Sequence, residues 1–202
     1  MNGTLSSRQA LIFIAGLLLL GATHACSFSP VSQLRNNSTP SPEVPNLTKD
    51  LRTKSPLPPP TGFVNDYANV FDADSKARLE SALIDLKAKS SIEFAVVTVE
   101  TTGGQSIFDY SLAVAKGWGV GPKDTSKGGG LLFMLATKDR KWRIQVSRSL
   151  EKDLPDEVCK ELGAQSLDLY RQGKYGAGAT QYAKLIIERL ETLRGFKLDR
   201  PL

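Results

Sequence analysis

The sequence predicts an α/β fold: a three-layer α/β/α sandwich around a small mixed sheet. Three observations carry this reading. IEFAVVTVE (residues 92–100) and LLFMLAT (131–137) are continuous apolar, partly β-branched runs, the signature of strands buried on both faces. Helical periodicity fills the space before, between and after them. WRIQVS (142–147) alternates in polarity and follows the tight turn TKDRK, so it returns as a hairpin. Two strands joined by a helix run parallel with a right-handed crossover.

Each element has its own local cause. VNDYANVF follows a proline run and adds an edge strand or an extended lead-in. Asp72 is a good N-cap, and Leu79, Leu83 and Leu86 mark one helical face to about Lys89. After the turn at Gly103-Gly104, Ile107, Tyr110, Val114 and Trp118 mark a second helix. GWGVGPKDTSKGGG (117–130) has six glycines. It runs from helix to strand and ends in neither GKS nor GKT, so a mobile connection is expected, not a phosphate cradle. Pro155-Asp156-Glu157 opens a third helix with acids in its first turn. Tyr182, Leu185, Ile186, Leu190 and Leu193 line a fourth, which stops at Gly195. The domain therefore spans 62–195, with a C-terminal tail at 196–202.

The first 61 residues differ in kind. Arg8 and the amino terminus precede ALIFIAGLLLLGA (10–22), an uncharged run of 13 residues. That is short for a membrane span, which needs about 20. Residues 1–25 read as a secretory signal, cut after Ala25. Cys26 follows at once, in the place where bacterial lipoproteins are cut and lipidated; simple cleavage is the alternative. Residues 26–61, rich in Ser, Pro, Asn and Thr and ending in SPLPPPTG, read as a disordered linker. The expected location is outside the cytoplasm: the cell envelope, periplasmic or membrane-anchored, or the thylakoid lumen in a photosynthetic source.

Charge narrows the function. The net charge is +5, but residues 62–202 hold 21 Lys+Arg against 19 Asp+Glu, a balance of +2. No basic stripe is interleaved with aromatics, so nucleic acid is not an expected partner. His24 is the only histidine and leaves with the signal. The mature chain therefore has no Ser-His-Asp triad, no Cys-His pair and no histidine-bearing metal site. Carboxylates, amides and backbone remain, a set that suits hard cations such as calcium or magnesium. Asp72-Ala73-Asp74 starts like an EF-hand loop but lacks the later Gly and Glu, so capping is its expected role. Lys138, Arg140, Lys141 and Arg143 form a short basic run at the hairpin, a solvated turn by default. Trp118 and Trp142 read as a core and a strand-face aromatic before ligand platforms.

VNDYANVFDADSKARLESAL, EFAVVTVETTGGQSIFDYSLAVAKGWGVG, GGGLLFMLATKDRKWRIQVSRSLE and the DEVCKEL helix, in that order, resemble the TPM domain family from about Gly62 to Glu191. That family includes bacterial envelope proteins and a thylakoid-lumen protein linked to photosystem II repair. The resemblance implies an α/β/α sandwich, divalent-metal binding (calcium foremost), and in some members acid phosphatase activity. Asp66 and Asp139 match acidic positions typical of the family and are the metal-ligand candidates. Ser147-Arg148-Ser149 departs from the bulkier hydrophobic usual there. Topology adds that Asp66 and Asp139 lie at the carboxyl ends of the strands, where ligands of open α/β sheets bind, with Asp124, Glu151 and Asp153 at the opposite end. Three functions follow as expectations: an exported, cation-binding domain assisting assembly or repair of a membrane-associated complex, attached through a lipidated Cys26; a metal-dependent acid phosphatase; or a non-catalytic structural module.

Overall fold

The structure is a computed structural model that describes residues 54–124, 126 and 128–202. The expected signal sequence, Cys26 and most of the expected linker lie outside the described residues. The element order is β1 (Val64–Asp66), α1 (Ala73–Ser90), β2 (Ile92–Val99), α2 (Ile107–Trp118), β3 (Gly129–Ala136), β4 (Lys141–Val146), α3 (Asp156–Ala164), α4 (Leu167–Arg171) and α5 (Tyr175–Arg194).

The sheet has the order β1-β2-β3-β4, with β1, β2 and β3 parallel and β4 antiparallel. VND is therefore a true edge strand, pairing Val64 with Val96 and Asp66 with Thr98. Side chains alternate across the sheet. Phe94, Val96, Leu131, Phe133 and Leu135 pack with Leu79, Leu83 and Leu86 of α1 and with Tyr182, Ala183 and Ile186 of α5. Ala95, Val97, Val99, Leu132, Met134 and Ala136 pack with Tyr110 and Val114 of α2. Both faces are covered, which is why β2 and β3 read as unbroken apolar runs. Among the described residues no helix is long and apolar enough to cross a membrane.

The helix boundaries follow their caps. Asp72 accepts from the Ser75 N–H at 2.8 Å, satisfying an otherwise orphaned donor of α1. Gly195, at φ 70°, closes α5 in the left-handed conformation. Leu193 does not join the α5 core face; it is 51% exposed. The glycine cluster has a packing cause. Gly129 and Gly130 belong to β3, and a Cβ on Gly130 would lie 2.4 Å from the Val120 carbonyl oxygen. Ser147 terminates β4 with its hydroxyl accepting from the Gly130 N–H at 2.9 Å.

Both chain ends of the described domain are tied down. The Trp118 indole donates to the Pro58 carbonyl at 2.8 Å, and Leu57 packs beside it on the α2 face. Residues 196–202 fold back on α1 and α5. Buried Asp85 accepts from the Asp199 N–H at 2.5 Å, and Glu191 accepts from the Leu198 N–H at 2.8 Å.

Candidate functional site

β1, β2 and β3 run parallel, so their carboxyl ends form one edge. Asp66 closes β1 there, and Asp139 sits in the turn between β3 and β4 at the same edge. Asp124 lies before β3, at the opposite edge, where it caps a local turn through Ser126. The topological expectation for these three acids is met.

Asp66 organises the segment that leads into α1. Its Oδ1 accepts from the Val70 N–H at 3.2 Å and from the Thr98 hydroxyl; its Oδ2 accepts from the Phe71 N–H at 3.0 Å. The turn so formed places Asn69 at φ 52°, a left-handed conformation that Asn tolerates better than most residues. The turn in turn supports α5: a Cβ on Gly176 would lie 2.3 Å from the Val70 carbonyl oxygen.

Asp139 ties the hairpin to the loop after β2. Its Oδ1 accepts from the Thr101 hydroxyl at 2.8 Å, and its Oδ2 accepts from the Thr102 N–H at 2.8 Å. The backbone donor of Thr102, aided by the Thr101 hydroxyl, holds its carboxyl below the usual carboxylate range. Both acids thus hang on the exit of β2, Asp66 through Thr98 and Asp139 through Thr101 and Thr102. They share an edge but no hydrogen-bond partner. The three threonines carry no periodic signal, because they are hydroxyls at a strand exit; the run TVETTGG (98–104) is the only visible cue.

An ionised carboxylate offers about four lone-pair sites. Asp66 Oδ2 and Asp139 Oδ1 each carry a single protein hydrogen bond, leaving each acid a free direction. Among the described residues no group of three or more His, Cys, Asp or Glu is placed to hold an ion. Two carboxylates and neighbouring hydroxyls are what this edge supplies.

The depressed Asp139 pKa has a pH signature. A carboxyl whose folded pKa lies below its unfolded value, about 3.9 for Asp, stabilises above that value and loses its contribution as pH falls through the folded one. We expect Asp139→Asn to flatten the acid limb of the stability curve below about pH 4, read as the melting temperature against pH. An unchanged acid limb in the variant would contradict the tie to Thr101 and Thr102.

No curated protein matches the chain. Several solved structures resemble it. One is the N-terminal domain of a protein from P. gingivalis, at 27% identity and a TM-score of 0.59, covering 66% of this chain and 84% of that one. Another is the BA42 protein from the psychrophilic bacterium Bizionia argentinensis, at 16% identity and a TM-score of 0.52, covering 66% of this chain and 93% of that one. The second supports the fold alone. The model of the TPM domain matches residues 64–189, from the first strand through most of the last helix. The chain belongs to the TPM domain family.

Proposed function

We propose that this TPM domain is an exported binding module that takes a divalent cation, calcium foremost, at the carboxyl edge through Asp66 and Asp139, and assists assembly or repair of a membrane-associated complex. The observation that carries the reading is the placement of two carboxylates at one sheet edge, each fixed by its own loop and each with a lone pair to spare. The same fixing favours binding over hydrolysis. The donors hold each carboxylate in place around its remaining lone pair, an arrangement suited to ligating an ion. Cys159, the free thiol among the described residues, is buried, and burial pushes it up to about 11.

The described chain enters the domain at the end opposite the carboxyl edge. Ser55 lies against Gly117 and Pro58 against Trp118, at the C-terminal end of α2. That end of α2 adjoins the amino ends of β2 and β3.

Two carboxylates with a water-rich shell belong to the weak class of calcium sites, roughly 10⁻⁴–10⁻³ M. At about 10 mM calcium the native state would gain roughly 1.4–2.7 kcal/mol. For a domain of this size that raises the melting temperature by roughly 4–8 °C over chelator. The Asp66→Asn, Asp139→Asn double variant should lose the rise. No rise in the native chain overturns the cation reading, and turnover of an aryl phosphate that Asp66→Asn abolishes would replace it with the phosphatase reading.

A further inference from the structure

A second site of opposite charge lies beside the hairpin, on the α5 face. A cleft of about 540 Å3 opens there between β4, α4 and the start of α5, within the range of small-molecule sites. Its walls include Trp142, Tyr170, Tyr175 and Leu167, and Arg140 and Arg171 stand among its lining residues. Among the described residues no acidic one lines it.

The aromatic walls are held in place. Trp142 packs on Tyr182 and Phe133, with ring centroids 5.3 and 6.3 Å apart. Gly163 of α3 lets it sit so deep, since a Cβ there would lie 2.2 Å from the indole. Tyr170 stacks on Tyr175 at an interplanar angle of 23° and lies flush on Gly178, where a Cβ would meet its ring at 2.4 Å. The rings therefore form a rigid slot, and filling it costs little side-chain entropy.

The guanidinium groups are available. Arg140 enters none of the ion pairs formed among the described residues. Its backbone is held at φ 52° in the hairpin turn, an uncommon conformation for such a residue, and fixes where the side chain starts. The neighbouring Asp139 carboxylate is turned to Thr101 and Thr102. Arg171 pairs with Asp168 at 2.8 Å, but both side chains are more than 70% exposed, and an exposed pair of this kind is worth little. Guanidinium groups bind planar anions bidentately and stack on aromatic faces.

We propose that this cleft binds a small organic anion carried on an aromatic ring, the ring in the slot of Trp142, Tyr170 and Tyr175 and the anionic group on Arg140 and Arg171. The site does not depend on the cation at the carboxyl edge. The shared chemistry is a flat ring with an attached carboxylate or phosphate.

The test is an amide- and indole-resolved NMR titration of the full chain with naphthoate, naphthyl phosphate, the neutral naphthalenemethanol and inorganic phosphate, each to millimolar concentration. The ring-borne anions should shift the Trp142 indole and the amides of Arg140, Gly173 and Tyr175, and the tighter of the two identifies the head group. The exposed double substitution Arg140→Gln, Arg171→Gln should weaken them about tenfold or more, as loss of hydrogen bonds to a charged group predicts, with the remaining spectrum unchanged. Trp142→Leu should abolish the binding with the arginines intact. Equal affinity for the neutral analogue, the same shifts from inorganic phosphate alone, shifts mapping elsewhere, or no shifts would each overturn the proposal.

Discussion

Replacing Asp66 by alanine is expected to destabilise the domain by about 2–4 kcal/mol, a large effect for one surface-edge acid. The substitution removes the acceptor of two backbone N–H groups and one buried hydroxyl at once. Thr98 is fully buried, so its hydroxyl would be left without its partner, and the Val70 and Phe71 amides would need water. The turn they close feeds both α1 and the first turn of α5, so the loss reaches two helices. Asp66→Asn keeps one acceptor oxygen and should cost less than half as much. Chemical denaturation of both variants checks the order; a loss below about 0.5 kcal/mol for alanine would mean that the turn is held by something else.

Tyr182→Ala should be still more damaging, by about 3–5 kcal/mol. Tyr182 is fully buried at the centre of the larger core cluster. Its ring meets Phe133 edge-on at 4.8 Å and Trp142 at 5.3 Å, and its hydroxyl donates to the Cys159 carbonyl at 3.1 Å. Burial raises its pKa above the ordinary tyrosine value, so the hydroxyl remains a donor throughout the working pH range. Tyr182→Phe separates the two contributions. It keeps the packing and loses one hydrogen bond, about 1 kcal/mol. The alanine variant should also loosen Trp142, visible as a red-shifted indole emission under native conditions. A stable Tyr182→Ala with unchanged emission would contradict the role of this ring as the support of the aromatic slot.

Most of the fold was legible because its strongest signals are local. Asp72 names the start of α1, Gly195 names the end of α5, and Leu79, Leu83 and Leu86 mark a buried face at helical spacing. Strands buried on both faces leave unbroken apolar runs, as at β2 and β3. The elements that stayed ambiguous or hidden are those that tertiary packing defines. β1 is three residues long, too short for any period, and exists because β2 offers it a parallel register. α4 is five residues long and is fixed by Tyr170 lying on Gly178.

The candidate site was legible in part. Chain order alone puts Asp66 and Asp139 at the carboxyl edge and Asp124 away from it. The threonines that hold the two acids were not visible, because which hydroxyl faces which carboxylate depends on register between strands. The aromatic cleft was hidden for the same reason. The basic run at the hairpin and Trp142 stand together in the sequence, but Tyr170 and Tyr175 arrive from a later part of the chain.

The most direct measurement of the central claim is a calcium titration of the full chain followed by NMR at single amides. Saturable shifts at Val70, Phe71 and Thr102, the amides that donate to Asp66 and Asp139, are predicted, and the Asp66→Asn, Asp139→Asn double variant should lose them. Those amides staying still while calcium shifts another region, or none, would contradict the carboxyl edge as the cation site.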